Sequence, residues 1–232
     1  MDMPTTERFD SSRGDPVAEA TLWGVAHLEM VFVRHAQPVP PAERAPEATN
    51  DPPLTTLGLR QADAAAETLA GAPVQAVYSS PLVRARMTAE ALARPHGLDV
   101  CQVDDLREID LPDTAERPAG TDPGRWRRAG RQFVSDGRWS AFPSAEPAHL
   151  FRERLSLAIE GIARRHLADR RVLVICHNGI LNAHIAGLLA IDRDYFFRPA
   201  HGSLTRIWHT AGRTVIWSMN ETAHLPGALL TA

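Results

Sequence analysis

The sequence predicts an α/β protein, built as a three-layer α/β/α sandwich around a largely parallel sheet. From His27 onward, apolar runs typical of strands alternate with stripes spaced for helices. The most apolar run, "RVLVIC" at 171–176, shows no polar alternation, as expected for a central strand buried on both faces. With 232 residues, 44% of them hydrophobic and 23% charged, the chain can bury a sizeable core as one domain.

The first half of the chain alternates between strand and helix. The predicted elements are strand 28–34, helix 56–71, strand 74–80, helix 81–97 and strand 98–103. Gly71 is a plausible stop for the first helix, and Pro81 suits the start of the second. Six prolines between 38 and 53 indicate a loop after the first strand.

The second half begins with an irregular stretch, about 110–147, that predicts an inserted region of loops with one or two short helices. A helix at about 147–168 follows, on a stripe that includes Leu155, Ile159 and Ile162. The remaining predictions are strand 171–176, helix 179–190, and a hairpin of strands 203–210 and 213–219 that turns at Ala211-Gly212.

Composition limits the classes of function. The first 26 residues are predicted to be a loosely ordered extension to a single domain at 27–232. The formal net charge of −3 argues against nucleic acid, and no run approaches the roughly 18 apolar residues of a membrane span. The two cysteines lack metal-ligand spacing, which favours a reducing, cytoplasmic setting. The oligomeric state stays open, a homodimer being one option.

Polar residues follow four of the predicted strands. Arg34 and His35 end the first strand, Arg84 lies one turn into the helix after the second, Glu108 follows the third, and His177 follows "RVLVIC". In such folds ligands bind outside the carboxyl ends of the strands. Singly, each residue is as readily explained by an ordinary polar strand end or a solvated surface. Together they predict one site.

This set of residue types suits phosphoryl transfer. Arginine forks bind phosphoryl oxygens, a neutral imidazole can attack phosphorus, and a carboxyl group with a raised pKa can protonate the departing oxygen. The helix that starts after His177, at Asn178, would add backbone N–H groups and a positive dipole end. Arginines beside both histidines argue against a metal, so neither a metal nor a cofactor is predicted.

The same residues resemble the histidine phosphatase, or phosphoglycerate mutase-like, superfamily. Its "RHG" signature is matched by "RHA" at 34–36. Five further motifs follow in family order: "DPPLTTLGLRQA" (51–62), "SSPLVRARMTAE" (79–90), "LRE" (106–108), "VICHNG" (174–179) and "NETAHL" (220–225). The resemblance covers nearly the whole chain from about residue 28 to 225.

The resemblance implies a role for each matched residue. His35 would be the nucleophile that becomes a phosphohistidine, and Glu108 the general acid and then the base. Arg34, Arg84 and His177 would bind the transferring phosphoryl group, with Asn178 as a further candidate. The implied fold is phosphoglycerate mutase-like, and the implied substrate is a small phosphorylated metabolite.

Three departures from the family pattern leave alternatives. Ala36 stands for the usual glycine. The asparagine that often follows the signature is missing, and Gln37 is a candidate replacement. The "GxWEG" segment is missing after Glu108, which leaves Asp110 as a second candidate for the acid. A basic stretch, "RWRRAGR" at 125–131, is either a solvated face or an anchor for an anionic substrate.

The favoured prediction is a phosphomonoester hydrolase of the histidine acid phosphatase type. A phosphoglycerate mutase-type transfer is one alternative, although the family's mutases have a longer tail and an "RHYG" where this chain has "IDLP". A diverged member that only binds a phospholigand is the other.

Overall fold

The computed structural model describes residues 27–40, 43, 51–111, 123–142, 145–166, 170–210 and 213–232. The predicted N-terminal extension, residues 1–26, lies outside this part of the chain, as does most of the proline-rich loop. No helix in the described ranges is long and apolar enough to cross a membrane.

Six strands of the described chain form one mixed sheet. They are β1 Leu28–Arg34, β2 Ala76–Ser79, β3 Val100–Gln102, β4 Arg170–Cys176, β5 Leu204–His209 and β6 Thr214–Glu221. Their order is β3-β2-β4-β1-β5-β6. The first four in that order are mutually parallel, and β5 runs antiparallel to both β1 and β6. The predicted interior place of "RVLVIC" is confirmed, since β4 pairs with β1 and β2.

Five α-helices of the described chain cover the two faces of this sheet. They are α1 Thr56–Ala70, α2 Val83–Ala93, α3 Pro123–Asp136, α4 Ala148–Arg165 and α5 Asn178–Leu189. Side chains of β1 alternate between the faces: Met30 and Phe32 join a core with α4 and α5, whereas Val31 and Val33 join a core with α1 and α2. The predicted three-layer α/β/α sandwich is therefore confirmed.

The inserted region differs from its prediction. It contains α3, a 14-residue helix, where short helices were expected. The reason is tertiary: Phe133 stacks on Trp139 at a centroid distance of 4.6 Å and also contacts Phe142 and Tyr195. This aromatic cluster stabilises a helix whose other side chains are mostly polar, so its local sequence gives a weak signal.

Helix α1 begins directly against the chain that follows β1. Thr55 caps the helix, because its Oγ1 accepts from the Gly58 N–H at 2.9 Å. Gly58 lies so close to residue 37 that a Cβ there would be 2.2 Å from the Gln37 carbonyl oxygen. Glycine thus permits α1 to contact the loop that follows His35.

We expect Gly58→Ala to destabilise the protein by about 1–3 kcal/mol, since backbone atoms must move to admit the methyl group. Gly161→Ala in α4 is the matched control, because a Cβ there meets nothing within 4 Å. It should stabilise the fold by about 0.5–1 kcal/mol, the ordinary gain for a helical glycine. Urea unfolding of both variants measures the difference, and equal effects would contradict the close contact at Gly58.

Candidate active site

His35 extends the ladder between β1 and β4 by one residue. Its N–H donates to the Cys176 carbonyl oxygen at 2.9 Å, and its side chain is buried. Its Nδ1 lies 2.8 Å from the Ala36 carbonyl oxygen. A carbonyl oxygen only accepts, so Nδ1 carries the proton and Nε2 presents a lone pair. The imidazole is thus held in the tautomer that a nucleophile needs.

The two residues after His35 are bonded to both helices on one face of the sheet. The Ala36 N–H donates to Thr88 Oγ1 at 3.1 Å, and the Gln37 N–H donates to Gln61 Oε1 at 2.8 Å. Thr88 and Gln61 are fully buried. The position of His35 is therefore set by a strand and two helices together.

Arg84, in the first turn of α2, reaches the nucleophile candidate. Its Nε donates to His35 Nε2 at 3.3 Å, and its Nη1 lies 3.6 Å from Asp51 Oδ1. Asp51 Oδ1 also accepts from the Val83 N–H at 2.8 Å, which ties it to the start of α2. Asp51 therefore holds both the helix and the arginine in place.

Arg34 is buried at the end of β1. One guanidinium nitrogen donates to the Pro199 carbonyl oxygen, and Nη2 donates to His201 Nε2 at 3.0 Å. Its Nε is buried and has no partner among the described residues. Burial lowers the pKa of Arg34 to about 10, and the nearby charge of Glu108 opposes this shift. The guanidinium stays charged and keeps a donor for an anion.

His177 follows β4 and precedes α5. Its Nε2 lies 2.7 Å from Ser80 Oγ, and its ring centroid is 5.1 Å from that of His35. Its Nδ1 is buried and has no partner among the described residues. Burial, with the charges of Arg84 and Arg34, holds the pKa of His177 well below its usual range. The pKa of His35 is lowered well below its usual range by burial, then by His177 and Arg84.

Glu108 lies against the start of α5. Its Oε2 accepts from the Gly179 N–H at 3.0 Å, and its Oε1 accepts from its neighbour, the Ile109 N–H, at 3.0 Å. A Cβ on residue 179 would be 2.3 Å from Oε1, so only glycine allows this approach. Burial raises the pKa of Glu108, and the two N–H groups oppose that rise. A raised pKa is what a general acid at neutral pH requires.

Chemically, these five side chains combine one nucleophilic lone pair, two cations, a second neutral imidazole and a carboxyl group of raised pKa. Arg34 Nε–H, a buried donor without a described partner, fits an anion, and His177 Nδ1 does so in the tautomer whose Nε2 accepts from Ser80 Oγ. In the described part of the chain no group of three or more His, Cys, Asp or Glu side chains has the spacing of a metal site. The arrangement suits nucleophilic attack on a phosphoryl group.

The secondary candidates from the sequence differ in their placement. Gln37 lines a pocket of about 680 Å³ beside Arg34, and its Oε1 accepts from Thr55 Oγ1 at 2.8 Å. Asn178 Oδ1 accepts from Asn182 Nδ2 at 2.8 Å. The side chain of Asp110 is exposed, and its backbone N–H donates to Glu146 Oε2 at 3.1 Å. On α3, the arginines of "RWRRAGR" are exposed.

Sequence reasoning missed several residues that hold the site. Asp51, Gln61 and Thr88 fall inside quoted motifs, where a role for each could have been sought. His201 carries no motif. It precedes β5, lies 5.6 Å from the His35 ring between centroids and contacts Arg34, so only the tertiary structure reveals it.

Comparison of the sequence with known proteins finds matches that cover most of the chain. A sequence model of the histidine phosphatase superfamily (branch 1) matches residues 30–222. A probable phosphoglycerate mutase, GpmB of Yersinia pestis, is 27% identical over 209 residues, which cover 85% of this chain and 95% of that protein.

Solved structures show the same fold. A mycobacterial glucosyl-3-phosphoglycerate phosphatase superposes with a TM-score of 0.65 at 26% identity, covering 83% of this chain and 98% of that one. YhfR of Bacillus stearothermophilus superposes with a TM-score of 0.72 at 23% identity, covering 85% and 98%. At the latter identity the likeness concerns the fold alone.

The buried histidines predict how stability depends on pH. His177 has a folded-state pKa below its usual value, so the unfolded chain takes up a proton below about pH 6.5 and the folded chain does not. Stability therefore falls as the pH falls. We expect His177→Gln to remove about 1 kcal/mol of the wild-type loss between pH 6 and pH 5.

Urea unfolding at pH 7, 6 and 5 measures this effect. His149→Gln, the same substitution at an exposed position, is the control for the change of residue itself. A His177→Gln variant that loses as much stability as the wild type between pH 6 and 5 would show that His177 is charged in the folded protein.

Proposed function

The chain belongs to the histidine phosphatase superfamily, and we propose that it is a phosphomonoester hydrolase of the histidine acid phosphatase type, acting on a small phosphorylated metabolite. The observation that carries the proposal is the state of His35. Its protonated Nδ1 donates to the Ala36 carbonyl oxygen, and its Nε2 lone pair accepts from Arg84 Nε at 3.3 Å, with the charge of Arg34 also acting on the ring. A neutral, oriented imidazole beside cations suits attack on phosphorus.

The proposed phosphate-binding site consists of Arg34, Arg84 and His177. Arg34 Nε and His177 Nδ1 are buried and have no described partner, and His177 is taken in the tautomer that carries its proton on Nδ1. A phosphoryl group would accept from both, and Arg84 would turn its Nε–H from His35 Nε2 to a phosphoryl oxygen. Each such bond involves a charged acceptor and is therefore worth more than a neutral hydrogen bond.

In the first proposed step, His35 Nε2 forms a bond to phosphorus while the bond from phosphorus to the ester oxygen breaks. The departing oxygen takes the proton of the Glu108 carboxyl group and leaves as an alcohol. The raised pKa of Glu108 supports this role, since a carboxyl group of ordinary pKa would already be ionised at neutral pH.

In the second proposed step, the Glu108 carboxylate accepts a proton from water, and the water oxygen attacks phosphorus. The bond from phosphorus to Nε2 breaks, and its electron pair returns to the imidazole. Inorganic phosphate leaves, and His35 and Glu108 regain their starting protonation states. The cycle requires neither a metal nor a cofactor.

The pocket beside Arg34 is the proposed site of the leaving group. Its volume of about 680 Å³ suits a metabolite, and its walls include Pro38, Val39, Pro40 and Leu57. Thr55, Thr56 and Gln37 add polar groups. Residues 41–42 and 44–50 adjoin this wall in sequence and lie outside the described part of the chain.

Mutase transfer is the second candidate, because the relative from Yersinia pestis is named a probable phosphoglycerate mutase. A mutase returns the phosphoryl group to a second hydroxyl group, whereas a hydrolase passes it to water. The two activities share the first step, so they separate only at the fate of the phosphohistidine. A diverged member that only binds its ligand would form no phosphohistidine.

We expect labelled phosphate to be trapped on His35. A rapid quench under alkaline conditions with a ³²P-labelled phosphomonoester should leave label that is stable in base and labile in acid. His35→Ala should retain none, and the exposed His149→Ala should retain as much as the wild type.

The fate of the label then separates the candidates. Hydrolysis predicts that the label appears in inorganic phosphate at the same rate with or without 2,3-bisphosphoglycerate. Rapid exchange of the label between 2- and 3-phosphoglycerate that depends on 2,3-bisphosphoglycerate would establish a mutase. Label retained in His35→Ala would overturn the assignment of the nucleophile.

We expect Glu108→Gln to slow the first step in proportion to the basicity of the leaving group. An alkoxide needs a proton to leave, and the loss should reach about 10²–10⁴-fold for an alkyl phosphate. A nitrophenolate leaves without help, so the burst with p-nitrophenyl phosphate should persist. Asp110→Asn, at an exposed carboxylate, is the matched control and should leave both rates unchanged.

Rapid-quench measurement of the burst isolates this step from the later attack of water. Equal losses for both substrates in Glu108→Gln would show that Glu108 is not the proton donor. A loss confined to alkyl phosphates in Asp110→Asn would transfer that role to Asp110.

A further inference from the structure

Arg34 is anchored from a single turn, residues 199–201, that precedes β5. The Pro199 carbonyl oxygen and His201 Nε2 each accept a hydrogen bond from its guanidinium group, the second at 3.0 Å. Both residues are buried. The guanidinium group has five N–H bonds, and these two contacts use one N–H of Nη1 and one of Nη2.

The bond from Arg34 defines the tautomer of His201. A guanidinium group only donates, so His201 Nε2 accepts and its proton is on Nδ1. That Nδ1–H donates to Thr231 Oγ1 at 3.0 Å. The backbone reinforces this contact, because the His201 N–H donates to the Thr231 carbonyl oxygen at 2.9 Å. The imidazole is thus held on both sides.

Thr231 is itself held by a residue from the core. Gln61 Nε2 donates to Thr231 Oγ1 at 2.8 Å and to the Leu229 carbonyl oxygen at 2.6 Å. The same carboxamide accepts from the Gln37 N–H through its Oε1. A continuous chain of hydrogen bonds therefore runs from the loop after His35, through Gln61, Thr231 and His201, to Arg34.

Protonation of His201 to an imidazolium would break this chain of hydrogen bonds. An imidazolium has no acceptor for Arg34, and it would face the positive charges of Arg34, Arg198 and Arg84. Burial, followed by these charges, lowers the pKa of His201 to about 3. The side chain is therefore neutral throughout the pH range of the proposed reaction.

We propose that His201 is a positioning residue: as a neutral acceptor backed by Thr231, it holds the Arg34 guanidinium in the orientation that binds a phosphoryl oxygen. This inference rests on the proposed role of Arg34 in phosphate binding. With His201 and Pro199 holding the terminal nitrogens, the buried Nε–H of Arg34 remains for the anion. His201 itself touches no reacting atom in this scheme.

The test is the affinity of the whole chain for inorganic phosphate, measured by isothermal titration calorimetry. His201→Phe removes the acceptor and keeps a ring, so affinity should fall about 10- to 100-fold, as expected for one bond to a charged group. His201→Gln places a carbonyl oxygen where Nε2 accepts, so its affinity should stay within about threefold of the wild type. A purely structural role would not be rescued in this selective way.

A double-mutant cycle with Arg34→Met identifies the route of the effect. If His201 acts through Arg34, His201→Phe should change affinity less than about twofold once Arg34 is absent. Thr231→Val, which removes the acceptor behind Nδ1, should weaken phosphate binding about two- to fivefold, again only while Arg34 is present. This variant serves as the probe if His201→Phe does not fold.

Each contrary result is decisive. Unchanged affinity in His201→Phe, or the same loss in both Arg34 backgrounds, overturns the inference. A loss of phosphate affinity in His201→Gln as large as in His201→Phe also overturns it, because a carbonyl oxygen that accepts from Arg34 would then not replace the imidazole. Phosphate binding that depends on Arg34 without any turnover would sink the proposed hydrolysis and leave this inference standing. Absence of such binding in the wild type would overturn both.

Discussion

A neutral imidazole buried near two guanidinium groups is the constraint on which the rest of the site depends. His35 is useful as a nucleophile only while Nε2 keeps its lone pair, and burial beside Arg34 and Arg84 keeps it so. The same burial leaves positive charge in a poorly solvated place, which is why the pKa of Arg34 falls to about 10. An arriving phosphoryl dianion relieves that charge, whereas a neutral ligand would not. Selection for anions thus follows from how the nucleophile is kept neutral.

The surrounding fold converts this electrostatic arrangement into geometry. Residues 34–37 form backbone hydrogen bonds to groups from β4, α1, α2 and the turn before β5, so no single loop determines where the imidazole points. Glu108 is likewise held by backbone N–H groups, which do not change rotamer. Such preorganisation is the main means by which a protein stabilises developing charge, since little has to move during the reaction. The mixed sheet serves as the rigid frame that brings these groups to one edge.

Much of this arrangement can be predicted from sequence, and the remainder cannot, for physical reasons. Apolar runs indicate the strands, and parallel topology brings their carboxyl ends together, so the residue pattern alone places Arg34, His35 and His177 near one another. Helix α3 was underestimated because Phe133 finds its partners only in the folded state. His201 was missed for a related reason: its contacts with residues 34 and 231 join parts of the chain that no local pattern relates. Long-range hydrogen bonds leave no periodicity in the sequence.

The buried carboxamide of Gln61 has a consequence for how the protein loses activity on heating. Segments outside the strands and α-helices often open locally at low cost and without effect on function. Here the 229–231 segment shares one side chain with the loop that carries His35, and it also backs the imidazole that holds Arg34. Release of this segment would break four hydrogen bonds at once, two from Gln61 and two from His201, while the two hydrophobic cores stay packed. Inactivation would then begin below the temperature of global unfolding and reverse on cooling, so the heat tolerance of the activity would be a property of these few residues.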